Sequence, residues 1–515
     1  MGEKRGRAWL ACFVASVVVF TACGGGSGGG GSKQAAPPSA TPTSSAAAPA
    51  AGAPAGGQPA TAAPVNQPGT GDAASSAPAP SAGGSAAAKS AAPIPAKSAA
   101  SASAPSPGGS AAAKSAAPAP GAPAPSGSPQ GGSTAPPAPG GGAPVGGGAC
   151  NGAGTLSAVA VGHVSALSGA PGATLGGARI GAQAWGKWIN RHCGLNGHPV
   201  KLFVEDSASD PTRYVGILKR LVEQEHVIGL FGNMQPLEGD AGVAYLNEKQ
   251  VPLIGGAGWN KFNCEGGMNF YTGPCLTSMA VGVVQAAVKQ GKTKIALFYC
   301  GEANLCRDYR EATYSPDATK TGAEIVVSKQ ISITQPDFTS ECLAAKDKGA
   351  QAISLYMDAG SMSRLARSCA NQDYHPVLLG GGAMGGPKHP EDANISELYT
   401  AYNVVPWIVT DLPAVAEYRS AIAEFGDTVW PTSGVVWADG MLLRAASVKL
   451  PADNPTPQDL VKGLYSLKNE TLGGLIQPAT FSPDQKTRGS SCFFPLVIKD
   501  HKWVAPLGAK QECAQ

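Results

Sequence analysis

Residues 24–149 lack bulky apolar side chains and aromatic rings almost entirely, and Asp72 is their only acid. They consist almost wholly of Ala, Pro, Gly, Ser and Thr. Such a stretch buries too little apolar surface to offset the entropy lost on ordering, which excludes a folded domain and predicts a disordered tether. Its only cations are four scattered lysines, which form no polybasic patch: Lys33, Lys89, Lys97 and Lys114.

A large excess of charge of either sign is also missing. The chain carries 38 Lys plus Arg and 35 Asp plus Glu, for a net charge of +3. Seven of those cations and two of the acids lie in residues 1–150, which leaves residues 151–515 with a net charge of −2. A nucleic-acid-binding domain needs a basic face, so we expect no nucleic acid partner.

Residues 151–515 contain none of the short motifs that mark common enzyme and metal sites. There is no CxxC, HExxH or GxSxG, no Walker pattern and no clear dinucleotide fingerprint. The seven histidines are scattered along the chain. These absences predict a protein without a metal site, a cofactor or a catalytic activity.

The N-terminus has the features of an export signal. Lys4, Arg5 and Arg7 precede Trp9–Phe20, an apolar run that is too short to span a bilayer comfortably. The segment Phe20–Cys23, followed by glycine, resembles a bacterial lipoprotein signal, in which the cysteine receives the lipid. We therefore predict a signal over residues 1–23, lipidation at Cys23 and an extracytoplasmic protein anchored to the cell membrane. An ordinary cleaved signal or a short anchor helix would export the rest equally well.

Ten cysteines remain besides Cys12 and Cys23, and an even number in an exported chain indicates disulfides. Sequence alone does not fix their connectivity. The simplest hypothesis pairs neighbours: Cys150–Cys193, Cys264–Cys275, Cys300–Cys306, Cys342–Cys369 and Cys492–Cys513.

Strand and helix patterns alternate after residue 150, which predicts parallel sheets with helices on both faces. A first set of elements precedes the Cys264–Cys275 loop and a second, similar set follows it, so we expect two Rossmann-like α/β lobes. Asp210 and Pro211 mark a helix start, as cap and first-turn residue. The second set includes a predicted helix over Cys306–Ala318. The chain ends in β-like runs at Ala479–Phe481, Phe493–Lys499 and Trp503–Leu507.

About residues 156–507 resemble the type I periplasmic binding proteins, specifically the branched-chain amino-acid receptors of ABC importers. The matching pieces, in order, are SALSGAPGATLGGARIGAQAW, EDSASDPTRYVGILKRLVEQEHVIGLFG, YLNEKQVPLIG, KIALFY and PDFTSECLAAKDKGAQAI. The resemblance implies two α/β lobes joined by a hinge of three crossing segments, with a small-molecule ligand in the cleft and an ABC permease as partner. The lobes would comprise residues 150–276 plus about 408–470, and 277–407 plus about 471–515.

The candidate ligand-binding residues lie in loops that follow strands, because ligands of open parallel sheets bind beyond the carboxyl ends of the strands. The loops are 165–168, 233–236, 255–260, 301–304, 356–360 and 380–384. The candidates are Ser168, Asn233, Gln235, Pro236, Ala257, Trp259, Glu302, Asn304 and Asp358.

Some of these residues depart from what the resemblance implies for an amino-acid receptor. Trp259 stands where the family commonly has a hydroxyl. The segment Leu379–Met384, which should supply an acid for the ligand ammonium, has none, so Asp358 or Glu302 is the candidate replacement. A Trp wall with the amides of Asn233 and Gln235 suits a planar, amide or apolar ligand as well as an amino acid.

Each candidate also has a structural interpretation that the sequence leaves open. Short polar residues commonly cap the following helix, which fits Asn233, Gln235 and Asp358. Trp259 could instead be a packing residue of the hinge region, and Trp437, on an apolar helix face, fits the core better than a ligand wall. Glu302 and Asn304 could serve only to form the turn beside the Cys300–Cys306 loop.

The leading hypothesis is a lipid-anchored solute receptor that delivers a small molecule, an amino acid, amide or similar, to an ABC importer. The alternative is a ligand-sensing lipoprotein of the same fold that signals to a partner and transports nothing. An enzyme or a purely structural wall protein fits the pattern less well.

Overall fold

Two largely parallel sheets with flanking helices make up the described part of the chain. The computed structural model describes residues 152–426, 429–485 and 489–515. The predicted signal, the tether, Cys23 and Cys150 lie outside the described residues. The predicted α/β architecture with two lobes is confirmed. We call the five-stranded sheet with its helices lobe 1, and the eight-stranded sheet with its helices lobe 2.

The elements follow one another as the alternating pattern predicts. The strands are β1 Val159–Ser165, β2 Val200–Asp206, β3 Leu230–Phe231, β4 Leu253–Ile254, β5 Asn269–Phe270, β6 Lys294–Cys300, β7 Glu324–Ile331, β8 Ala352–Tyr356, β9 Val377–Gly381, β10 Glu397–Tyr402, β11 Cys492–Lys499, β12 Lys502–Val504 and β13 Glu512–Cys513. The helices are α1 Gly172–Arg191, α2 Pro211–Glu223, α3 Asp240–Lys249, α4 Lys261–Cys264, α5 Leu276–Lys289, α6 Asn304–Thr313, α7 Pro316–Lys320, α8 Thr339–Asp347, α9 Ala359–Ala370, α10 Pro413–Ala423, α11 Pro431–Ala446 and α12 Pro457–Ser466. Among these described helices, none is both long enough and apolar enough to cross a membrane.

Lobe 1 contains a sheet with the strand order β2-β1-β3-β4-β5, and its strand pairs are parallel. Parallel neighbours need a crossover connection, and helices such as α1 and α2 supply it. The helix α2 begins where the sequence predicts. Asp210 accepts a hydrogen bond from the backbone N–H of Arg213 at 2.6 Å, and Pro211 occupies the first turn.

Lobe 2 contains the strand order β12-β11-β10-β9-β8-β6-β7, with β13 paired to β11. The strands from β6 to β10 pair in parallel, whereas β11 pairs antiparallel with β10, β12 and β13. β8 and β9 are buried along their whole length. Burial on both faces explains why their sequences show no alternation of apolar and polar residues.

The chain crosses between the lobes after β5, after β10 and after α12. The second crossing returns it to lobe 1, where α11 packs along α1 and contacts β3 and β4. Trp437 on α11 is 1% exposed and packs edge-on against Trp188 of α1, with ring centroids 5.4 Å apart. Trp437 is therefore a core residue, as its structural interpretation suggested.

Two local predictions about the elements are wrong, and one strand was not predicted. The expected helix over Cys306–Ala318 is divided into α6 and α7, because Pro316 cannot continue a helix and Ser315 caps α7 by accepting from the N–H of Ala318 at 3.3 Å. The run Ala479–Phe481 forms only an isolated bridge between Ala479 and Glu470. The strand β10, which lies inside the lobe 2 sheet, was not anticipated.

The described residues contain four complete disulfides, and each joins a pair of neighbouring cysteines as hypothesised. They are Cys264–Cys275, Cys300–Cys306, Cys342–Cys369 and Cys492–Cys513. Cys193 is also disulfide-bonded. Cys150, the partner hypothesised for it, lies outside the described residues.

The contact between α1 and α11 leaves no room for a side chain at Gly440. A Cβ atom added there would lie 2.6 Å from the Trp185 ring, closer than side-chain atoms normally approach. We expect Gly440→Ala to lower the free energy of unfolding by about 1–3 kcal/mol, because overpacking forces the two helices apart. Urea unfolding measures this.

Gly216→Ala is the matched control, since Gly216 also lies inside a helix, α2, but a Cβ there meets no atom within 4 Å. This substitution should leave stability unchanged or raise it by up to about 1 kcal/mol. Equal losses for the two variants would contradict the packing argument.

Candidate functional site

A cavity lies between the lobes, where the carboxyl ends of the strands of both sheets face each other. It encloses about 420 Å³ of empty space, including its opening to solvent. Lobe 1 lines it with Pro171, Thr174, Leu175, Pro236, Leu237 and Trp259. Lobe 2 lines it with Cys300, Leu305, Ile333, Tyr356, Met357, Asp358 and Met384. Most of these residues end a strand or follow one within a few residues, and Thr174 and Leu175 lie near the start of α1, as expected for the ligand crevice of parallel α/β sheets.

Three of the predicted ligand-binding residues line this cavity: Pro236, Trp259 and Asp358. Trp259 is 2% exposed, and its Nε1 has no hydrogen-bond partner among the described residues. Its ring reaches lobe 2, because a Cβ added at Gly382 would lie 3.8 Å from Trp259 Cε3. Asp358 also caps α9, since its carboxylate accepts from the N–H of Ser361 at 3.0 Å and from the Ser361 hydroxyl. Asp358 thus combines a position in the cavity wall with a structural role.

Asn233 and Gln235 lie behind the cavity wall and not on it. Asn233 Oδ1 accepts a hydrogen bond from the N–H of Val164 at 3.0 Å, which ties the loop after β3 to β1. Gln235 Nε2 donates to the Tyr214 hydroxyl at 2.6 Å. Neither residue caps α3, whose N-cap is Gly239. Their amides therefore fix the backbone of the loop that carries Pro236.

The other four candidates also lie outside the cavity lining. Ala257 is buried, and its carbonyl accepts from Asn263 Nδ2. Ser168 is exposed and bonds to the Asp206 side chain. Asn304 is exposed at the start of α6. Glu302 is exposed, and its carboxylate accepts from the N–H groups of Gly301 and Ile333, both at 2.9 Å.

Sequence reasoning located most of the cavity loops but missed most of the lining residues. Leu175, Leu237, Leu305, Ile333 and Met384 carry no hydrogen-bonding side chain, so their side-chain chemistry did not separate them from core residues. The available signal was positional. Leu237, Leu305, Ile333 and Met384 each follow the carboxyl end of a strand within a few residues, and that position would have nominated them. Leu175 lies on α1, and this signal does not reach it.

Among the described residues, the side chains of Cys300, Glu302 and Cys306 lie close enough together to hold a metal ion. The two sulfurs are bonded to each other in a disulfide. Metals bind thiolates, which a disulfide cannot supply. This group therefore does not act as a metal site in the oxidised protein.

A hydrogen bond joins the two lobes at the rim of the cavity. The N–H of Ala359, at the start of α9 in lobe 2, donates to Thr174 Oγ1 of α1 in lobe 1 at 2.6 Å. The first N–H groups of a helix have no partner within the helix, so Ala359 is free to donate across the cleft. Thr174 is 2% exposed, which places this bond away from solvent.

His389 of lobe 2 binds the backbone of Ala359, the residue that donates across the cleft, and the backbone of Gly386. Its Nε2–H donates to the carbonyl of Ala359 at 3.0 Å, and its Nδ1 accepts from the N–H of Gly386 at 3.1 Å. Burial lowers the pKa of His389, in keeping with a neutral ring that accepts at Nδ1. His389 thereby fixes the loop of Asp358 relative to the loop of Met384.

Lobe 1 contains a second buried histidine network. His163 Nδ1–H donates to the Phe231 carbonyl at 3.1 Å, and His163 Nε2 accepts from the Ser165 hydroxyl at 2.9 Å. Ser165 Oγ accepts in turn from the N–H of Met234 at 2.9 Å. The network joins the end of β1 to the loop after β3. Both side chains are fully buried, so the pair has the geometry of a structural link and not of a nucleophile and its base.

The loop that carries Trp259 is held by an acid on α11. Asp439 is 4% exposed, and its Oδ2 accepts from the N–H of Gly256 at 2.8 Å. Burial raises the pKa of Asp439 well above its usual range. Gly255 has φ of 72°, and a Cβ there would lie 1.9 Å from the Asp439 carboxyl carbon. This close approach requires glycine at position 255.

The His163 network makes stability depend on pH. Burial lowers the pKa of His163 to about 4, whereas an unfolded histidine titrates near 6.5. The unfolded chain therefore binds the proton first as the pH falls. We expect the stability due to this group to be complete above about pH 6.5 and to decline by roughly 2–3 kcal/mol by about pH 4.5. Urea unfolding of the native chain and of His163→Asn at both pH values measures the difference.

His226→Asn is the control, because His226 is exposed and has φ of 51°, a conformation that Asn tolerates. It should retain the pH dependence of the native chain, and His163→Asn should reduce it. The account of this network fails if His163→Asn has the same pH dependence as the native chain.

Comparisons with known proteins agree with this geometry. A family model described as periplasmic binding protein matches residues 158–502, which is more than half of the chain. The search of curated proteins found no match to this chain. A branched-chain amino acid ABC transporter protein from Thermus thermophilus with bound valine is 13% identical, with a TM-score of 0.60 over 69% of this chain and 96% of that one.

Two other solved structures have the same fold. A branched-chain amino acid transporter substrate-binding protein from Streptococcus pneumoniae, in complex with isoleucine, is 16% identical with a TM-score of 0.57, over 69% of this chain and 99% of that one. A fatty acid ABC transporter substrate-binding protein from Thermomonospora curvata is 17% identical with a TM-score of 0.55, over 72% of this chain and 98% of that one. The resemblance seen in the sequence is confirmed, and this chain belongs to the periplasmic binding protein family.

Proposed function

We propose that this protein is an exported receptor that encloses a small molecule between its two lobes and delivers it to an ABC permease. Cys23 would carry the lipid that anchors it, and residues 24–149 would tether the two lobes to the membrane. The mass of the mature chain tests the anchor, because lipidation would leave a modified Cys23 as the first residue.

The observation that carries the proposal is the cavity shared by the two lobes. Neither lobe encloses it alone, since the lining comes from both. Its lining is almost wholly apolar side chains, as is common in small-molecule sites. The bond between Ala359 and Thr174 joins the two lobes beside it. A ligand that contacts both walls would favour this closed arrangement over an open one.

In this proposal, the three segments in which the chain crosses between the lobes form the hinge. We propose that lobe 1 comprises residues 150–276 plus about 408–470, and lobe 2 residues 277–407 plus about 471–515. Rotation about the crossings would separate the walls and admit a ligand, as in hinge closure of two-lobed proteins. The solved structures named above include ABC transporter proteins for branched-chain amino acids and for a fatty acid, which supports transport and leaves the ligand open.

The test of this function is ligand-driven closure of the full chain. Small-angle X-ray scattering compares the radius of gyration before and after addition of a small-molecule extract of the culture medium. We expect the extract to reduce the radius of gyration, and uptake of the responsible compound to require both this protein and a permease. Closure without any effect on uptake would favour the sensing role, and absence of closure with every extract would contradict the proposal.

The bond between the lobes should contribute to affinity. In Thr174→Val the closed form would bury the Ala359 N–H without its acceptor, at a cost of about 1–3 kcal/mol. We expect the dissociation constant of the extracted ligand to rise about 5- to 140-fold by calorimetry.

Thr313→Val is the matched control, since Thr313 is equally buried but its hydroxyl donates to the Tyr309 carbonyl within α6 at 2.9 Å. It should bind the ligand as the native chain does. If Thr174→Val also binds with native affinity, the bond between the lobes does not contribute to closure.

A further inference from the structure

We infer that the ligand is an amphipathic acid, with an apolar body inside the cavity between the lobes and an anionic head in a polar pocket beside it. This inference rests on the proposed function, because it assigns a chemical class to the molecule that the lobes enclose. Three features carry it: the apolar surface of the cavity, the polar surface of the neighbouring pocket, and the arginines that line that pocket.

The cavity offers its occupant an almost wholly apolar surface. Leucine, isoleucine, proline and methionine side chains make up most of its lining. A polar group of a ligand would lose its water there without gaining a hydrogen bond, which costs free energy. An apolar group is stabilised by the same burial. The part of the ligand inside the cavity is therefore hydrocarbon.

A second pocket, which we call the outer pocket, adjoins this cavity and is also shared by the two lobes. Leu237 of lobe 1 and Cys300 of lobe 2 line both spaces, so the two spaces meet at this pair. The surface of the outer pocket is mainly polar. Asp240 lines it from lobe 1, and Glu302 and Asn304, both predicted to bind the ligand, line it from lobe 2. A molecule that extends through both spaces has an apolar end and a polar end.

Arg310, which lines the outer pocket from α6, indicates the charge of the polar end. Its guanidinium carbon lies 5.8 Å from the ring centroid of Tyr299 and 5.3 Å from that of Tyr314. Stacking on aromatic rings holds a flexible arginine in place without using its N–H groups. Among the described residues no carboxylate forms an ion pair with it. A guanidinium of this kind can donate two parallel hydrogen bonds to a ligand carboxylate.

The other charged groups of the outer pocket leave an anion favoured. Arg307, one turn before Arg310 on α6, is a second cation and donates one long hydrogen bond, to Asn304 Oδ1 at 3.4 Å. The Glu302 carboxylate already accepts three hydrogen bonds from protein groups. Asp240 is exposed in the first turn of α3, where the helix dipole stabilises its charge. The protein thus stabilises both acids itself, whereas most guanidinium N–H groups stay available to a ligand.

Calorimetry on the full chain with simple acids and their analogues tests this class. Acetate, butanoate and hexanoate share one head and differ in the length of the body, and 1-hexanol and hexylamine keep a six-carbon body with a neutral or a cationic head. We expect affinity to rise about fourfold for each CH₂ added to the acid, because each one enters the apolar cavity. Hexanoate should also bind at least tenfold more tightly than hexylamine.

Arg310→Gln adds an independent readout, because it removes the charge and keeps a helix-forming side chain. We expect this variant to weaken hexanoate binding at least tenfold and to leave 1-hexanol binding unchanged. Arg213→Gln is the matched control. Arg213 is an exposed arginine on α2 that lines neither space, so hexanoate binding should not change.

An affinity that does not depend on chain length would overturn the apolar body, and equal binding of hexanoate and hexylamine would overturn the anionic head. The whole inference fails if none of the three acids binds. None of these results removes the proposed function, which fails only when no extract closes the lobes in the scattering experiment.

Discussion

The hydrogen bond from the Ala359 N–H to Thr174 Oγ1 determines how the two walls of the cavity meet. Thr174 lies in the first turn of the helix after β1, and Ala359 is the first residue of the helix after β8. Both helices follow the carboxyl ends of parallel strands. A bond between them therefore brings the carboxyl ends of the strands in the two sheets together. The apolar walls, Trp259 and Asp358 then face one enclosed volume.

Buried polar groups behind the cavity fix the loops that form it. His163 and Ser165 hold the loop after β3, and Asp439 holds the loop that carries Trp259. His389 joins the two lobe 2 loops. None of these groups belongs to the described cavity lining, so their chemistry positions backbone and does not act on a ligand. A rigid set of loops around an apolar volume suits selective binding, because less entropy is lost on closure.

The alternation of strands and helices in two lobes, and the position of the cavity at the carboxyl ends of the strands, could be predicted from the sequence because both follow from local patterns. The cap at Asp210 and the buried run of β8 are legible without tertiary information. The strand β10 could not be predicted from local sequence, since it pairs with β11, which lies about ninety residues further along the chain. The direction of the Gln235 amide was equally hidden. It depends on the Tyr214 hydroxyl, a partner that only the folded chain brings close.

Hydrogen exchange at the Ala359 amide tests the central claim most directly. The N–H at the start of a helix exchanges quickly unless a group outside the helix accepts it. Residue-resolved exchange on the full chain, with and without a ligand, would follow this one hydrogen. The account predicts slow exchange when the ligand closes the lobes, and fast exchange in Thr174→Val under the same conditions. Equally fast exchange in the ligand-bound native chain would contradict it.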